Sequence, residues 1–136
     1  TDGTEQLGQV VAAAGYGVTG RLSSGYTRGD NEIRAGTMLL SARERSVWVC
    51  EIRRTGTPLP FCIAPGDSGG GLWGTSADGR TVLVGVSSYT ARMGTGKVRS
   101  KLGEESGHTR VADYLDWIAE VAGSLDSQCT LAGCKP

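Results

Sequence analysis

Short apolar runs, each closed by a glycine, proline or polar turn, dominate the chain. Residues 9–15 form one such run and end in the bend Gly15-Tyr16-Gly17. Residues 37–40 and 47–52 are two further strand candidates. In the second, Val47, Val49 and Glu51 fall on one face and Trp48, Cys50 and Ile52 on the other, the period-2 alternation of a strand. Residues 55–60 contain Gly56, Pro58 and Pro60 and read as a loop. A turn at residues 76–79 precedes the most strand-like stretch, residues 81–88. Residues 91–107 are polar and interrupted by glycine, which predicts a long surface loop. One helix is predicted: Val111, Leu115, Ile118 and Ala122 lie at helical spacing, with Asp113 placed to cap the N-terminus and Gly123 the C-terminus. Strands followed by one terminal helix predict an all-β barrel with a helix packed on its outside.

Composition supports this picture. Glycine accounts for 22 of 136 residues and aromatics for only 6%, the texture of many strands joined by tight turns. The length suits one domain with a real core. Lys+Arg and Asp+Glu are both 14, and no run of like charge stands out, so neither nucleic acid nor a membrane is expected as a partner. Four cysteines and a single histidine lack the spacing of a zinc site, and no metal or cofactor is expected. The thiols could be inert and buried, but an even count in a turn-rich chain favours disulfides and an oxidising compartment. Of three possible pairings, the two local loops Cys50–Cys62 and Cys129–Cys134 are favoured.

Candidate chemistry lies in Cys62-Ile63-Ala64-Pro65-Gly66-Asp67-Ser68-Gly69-Gly70-Gly71-Leu72-Trp73. A serine hydroxyl becomes a nucleophile when a base removes its proton and donors stabilise the oxyanion. Glycines around Ser68 allow a sharp turn, and the N–H groups of Gly66 and Ser68 could converge as an oxyanion hole. Asp67, if it points inward, needs a buried partner. An α/β-hydrolase nucleophile elbow is a poorer fit, because a proline-containing loop precedes the motif and three glycines follow the serine.

Residues 66–70 resemble the nucleophile motif of the chymotrypsin/trypsin family of serine proteases. Ala14-Gly15-Tyr16-Gly17, Val84-Gly85-Val86-Ser87-Ser88-Tyr89, and Thr109-Arg110-Val111 followed by Tyr114-Leu115-Asp116-Trp117-Ile118 resemble further segments of that family in the same order. The resemblance implies that residues 1–136 are the second six-stranded Greek-key barrel and terminal helix of a trypsin-like double barrel, with the first barrel absent from this chain. It implies a secreted, extracellular serine endopeptidase made as a zymogen. This chain would supply nucleophile Ser68, oxyanion hole and specificity pocket, and would be active only with a first-barrel chain, cut from the same precursor, that carries His and Asp. Asp67 matches the aspartate that pairs with a freed amino terminus on activation. Cys62, Ile63 and Ala64 are expected at the pocket base, Ser88, Tyr89 and Thr90 along a peptide or protein substrate, and His108 near the pocket rather than as the base. The alternative is a catalytically inactive, protease-like binding protein.

Overall fold

The computed structural model describes residue 1 and residues 3–92 and 95–131, with residues 124–131 described by backbone alone. Nine strands form: β1 Val10–Gly15, β2 Thr19–Arg21, β3 Gly25–Arg28, β4 Arg34–Leu39, β5 Ala42–Glu44, β6 Val47–Glu51, β7 Gly71–Thr75, β8 Thr81–Arg92 and β9 Glu104–Arg110. Seven of them make one antiparallel sheet in the order β4-β1-β7-β8-β9-β6-β5, and β2 and β3 form a separate two-stranded hairpin.

The expected closed six-stranded Greek-key barrel is not what forms. The sheet begins at β4 and ends at β5, with no ladder joining those two strands. They meet only through their two-residue link, where Leu40 N–H bonds the Gln9 carbonyl at 3.1 Å and Ser41 N–H bonds the Val49 carbonyl at 2.8 Å. The architecture is an open, seven-stranded sheet with a two-stranded ribbon beside it. Each candidate strand is amphipathic or apolar, as the pattern requires. Which edges pair is a long-range property that the pattern does not contain.

β1 alternates as its sequence dictates. Val11 and Ala13 point into the core, and Val10, Ala12 and Ala14 point out. Val11, Ala13, Met38, Leu40, Trp48, Cys50, Ile63, Leu72 and Val84 form the buried cluster. Each fully buried leucine or valine there stabilises the fold by about 2 kcal/mol relative to exposure. β6 departs from simple alternation. Trp48, Val49 and Cys50 are all buried, so side chains on both faces of the strand are covered.

Two local predictions are corrected. Residues 104–107 lie in β9 rather than in a loop, and β8 extends to Arg92. The predicted helix is a short 3-10 turn, Val111–Tyr114, leading into α1, Leu115–Leu131. Gly123 lies inside α1 and does not end it. The Asp113 carboxylate accepts from Arg110 and lies 3.5 Å from Arg43, so ion pairing replaces the expected cap. Nor is the helix packed down along the predicted stripe: Leu115 is 39% exposed and Ile118 40%.

Candidate functional site

The Ser68 loop is built on its own backbone. Gly66 has φ of 100°, a conformation open to glycine at little cost, and this lets the chain reverse after Pro65. Asp67 N–H then bonds the Ala64 carbonyl at 3.0 Å, and Gly70 N–H bonds the Asp67 carbonyl at 3.1 Å. The far end is fastened to β8, with Gly69 N–H on the Ser87 carbonyl and Ser87 N–H on the Gly70 carbonyl, each at 2.8 Å. Ser68 sits exposed at the tip, and its hydroxyl donates to the Ser88 carbonyl at 3.4 Å. Ser68 and Ser88 are therefore brought together.

Asp67 points inward and is buried. Its Oδ1 accepts from Gly17 N–H at 2.8 Å and its Oδ2 from Ala64 N–H at 2.9 Å. Gly17 is required at that spot, because a Cβ there would lie 2.6 Å from the carboxylate oxygens. The expected partner was a freed amino terminus; the partners in this structure are two backbone amides. They tie the Ser68 loop to the end of β1.

Cys62 and Ala64 line a cleft of about 290 Å³, together with Asp67, Phe61, Tyr26 and Ser100. Ile63, between them, points the other way into the core. The Cys62 thiol donates to the Ile63 carbonyl at 3.0 Å, and burial is the main cause that pushes its pKa up to about 12. It is a protonated wall of the cleft, not a thiolate. Ser100, with φ of 55°, is buried beside the Cys62 thiol.

The remaining predicted residues separate. Ser88, Tyr89 and Thr90 lie on β8 beyond its pairing with β7, which ends at Val86. Tyr89 is 39% exposed, and its ring covers Gly107. Burial raises the pKa of its phenol, and Glu44 and Glu105 add to the shift. His108 is fully buried in β9 and faces no cleft. Its Nδ1 lies 3.3 Å from the Ser87 hydroxyl and its Nε2 3.0 Å from that of Ser106. The Ser106 hydroxyl also donates to the Cys50 carbonyl at 3.4 Å, which leaves it accepting from Nε2–H while the Ser87 hydroxyl donates to Nδ1. Burial pushes the His108 pKa down to about 4, so the ring is neutral.

These placements correct the expected chemistry. Ser68 has one hydrogen bond, to a carbonyl, and the chain's single histidine is spent on two core serines. Among the described residues there is no catalytic triad. The loop's amide hydrogen bonds come from Asp67, Gly69 and Gly70 and run to carbonyls, and among the described residues no oxyanion hole is evident. Cys50 and Cys62 are free thiols, one in the core and one at the cleft, which overturns the Cys50–Cys62 bridge. The Cys129–Cys134 bridge falls outside the described residues. With an open sheet in place of the barrel and no triad among the described residues, the structure does not support a serine endopeptidase. Among the described residues, no group of three or more His, Cys, Asp or Glu could hold a metal ion.

Sequence reasoning missed the β2–β3 hairpin and the segment it rests on, residues 98–102. Tyr26 N–H bonds the Arg99 carbonyl and Leu102 N–H the Leu22 carbonyl, each at 2.8 Å. Ser23-Ser24-Gly25, a turn between two short runs, was the available signal. The trypsin-like resemblance finds no support in comparison with known proteins: no protein-family model matches the chain, and no curated protein matches it.

Proposed function

We propose that this chain is a peptide-binding domain that takes an extended segment as an added strand along Ser88, Tyr89 and Thr90. One observation supports the reading above others. β7 pairs with β8 only as far as Val86, whereas β9 continues alongside β8 to Arg92. Residues 69 and 70 pair with Ser87 and the Ser68 hydroxyl reaches the Ser88 carbonyl; past these, β8 has β9 on one side and no paired strand on the other among the described residues. A free strand edge presents unpaired N–H and C=O groups, and an extended peptide satisfies them in register. Ser68 stands at the start of this edge, with its hydroxyl on the Ser88 carbonyl. The half-exposed Tyr89 ring offers apolar contact to a peptide side chain.

A few strand hydrogen bonds at about 1 kcal/mol each, with one aromatic contact, give affinities on the order of 100 μM. The test is a titration of isotopically labelled protein with extended eight-residue peptides of neutral sequence. Amide signals of residues 88–92 shift on binding, and a peptide N-methylated at alternate residues produces no shift. Peptides that leave those amides unmoved, or that bind equally well when N-methylated, overturn the reading.

A further inference from the structure

The chain as a whole is neutral, but its fold gathers positive charge at the end of β8. The hairpin β2–β3, which carries Arg21 and Arg28, packs against residues 98–102 through Leu22, Gly25 and Tyr26. Tyr26 is the anchor: its N–H bonds the Arg99 carbonyl at 2.8 Å, and its hydroxyl bonds the Val98 carbonyl at 3.3 Å. Gly25 packs so closely on Arg99 that an added Cβ would lie 2.5 Å from the Arg99 carbonyl oxygen. At the end of β8, the Arg92 guanidinium lies over Gly96, 2.6 Å from where a Cβ would stand. Arg21, Arg28, Arg92, Lys97 and Arg99 are all exposed, Lys101 is half-buried, and none of the six is in an ion pair among the described residues.

Three acids nearby are already engaged. Asp30 and Glu32 pair with Arg34. Glu104 is buried, and its carboxylate accepts from Arg99 N–H and Lys101 N–H, so it shapes the loop that displays the basic side chains. Glu105, opposite Ala91 in the β8–β9 ladder, and Glu44, which with Glu105 adds to the rise of the Tyr89 pKa, are the acidic groups of this stretch outside the ion pairs of the described residues.

We infer that the peptide this domain binds is acidic, with a cluster of Asp or Glu residues placed beyond the segment that pairs with Ser88–Thr90 and received by Arg92, Lys97, Arg99 and Lys101. The inference rests on the strand-edge reading above. It follows from position: the edge of β8 runs on to Arg92, whose guanidinium reaches Gly96 beside Lys97 in sequence, so a peptide continuing past Thr90 enters the field of these charges. Exposed charges of one sign steer and hold an oppositely charged partner in a salt-dependent way.

The experiment compares three probes by fluorescence anisotropy: a neutral extended peptide, the same peptide with a four-residue acidic extension, and a single-stranded oligonucleotide of equal charge. The acidic peptide is expected to bind about tenfold more tightly than the neutral one at low salt, with the gap closing at high salt. In the Lys97→Glu/Arg99→Glu variant the ratio of the two affinities falls to about one or below. Thermal melting checks the fold of that variant, and Lys97→Gln/Arg99→Gln gives an intermediate ratio. If neutral and acidic peptides bind equally and both shift the amides of residues 88–90, this inference falls and the strand-edge reading stands. If the acidic peptide binds without moving those amides, the strand-edge reading falls. An oligonucleotide that binds as tightly as the acidic peptide overturns the assignment to peptide.

Discussion

Asp67 shows how much one side chain holds in place. Its two oxygens satisfy two backbone amides, Gly17 N–H and Ala64 N–H, on segments far apart in sequence. In Asp67→Ala both amides lose their acceptor in a buried place, and each buried orphan costs about 1–3 kcal/mol. The expected loss is about 3 kcal/mol in urea unfolding. Asp67→Asn keeps one acceptor and sets an NH2 group against the other amide, so it falls between the two. An Ala variant as stable as the parent would show that these hydrogen bonds contribute nothing. The condition was legible in the sequence: Asp67, if it pointed inward, would need a buried partner. The partners were not. Backbone amides carry no sequence signature, so only the fold could name Gly17 and Ala64.

At the scale of the element, β9 is the strand that sequence reading half missed. Glu104-Glu105-Ser106-Gly107 looks like loop because polar residues and a glycine interrupt any alternation. Each has a place in the structure: Glu104 accepts backbone amides, Ser106 and His108 bond each other in the core, and Gly107 makes room for the Tyr89 ring. A strand with neighbours on both sides can be polar when its polar groups satisfy one another. That arrangement has a pH consequence. His108 is neutral in the fold with its pKa pushed down to about 4, whereas an unfolded histidine titrates near 6.5. A depressed folded pKa means that the stabilisation is present above the unfolded value and is lost as pH falls from about 6.5 towards 4. The full loss is on the order of 3 kcal/mol. Urea midpoints should drop between pH 7 and pH 5, and His108→Gln should flatten that drop. A parent midpoint independent of pH over that interval would remove histidine burial as the cause. In the same element, Gly107→Ala drives a methyl into the Tyr89 ring. It should cost about 1–3 kcal/mol and weaken peptide binding at the neighbouring edge, read by calorimetry.

For the whole molecule, the local pattern disclosed that the regular elements are mostly strands with a terminal helix, and it placed β1, β6 and β8 close to where they lie. It did not disclose that the sheet stays open, that the hairpin β2–β3 stands apart, or that neutral composition conceals a basic end. All three depend on which segments meet across long stretches of chain. The cysteines make the same point, and their behaviour can be tested on the intact protein. Cys50 has no exposed surface, sits in the central cluster beside Met38 and Leu72, and is a free thiol whose pKa burial pushes up to about 12. Both access and thiolate are thus denied to it in the native state, since only the thiolate attacks. Labelling of Cys50 by a maleimide therefore requires the core to open. For a domain of ordinary stability that slows the reaction by a factor of roughly 10³ or more relative to the unfolded chain. Cys62, half-buried at the cleft, should react faster than Cys50 and more slowly than an unfolded thiol. Peptide mass mapping of timed, non-reduced samples resolves the two sites. In dilute urea the Cys50 rate should rise with the slope of global unfolding, while the Cys62 rate stays nearly flat. Rapid native labelling of Cys50 would place it outside the core, and a Cys50–Cys62 crosslink in the non-reduced map would restore the bridge that this fold removes.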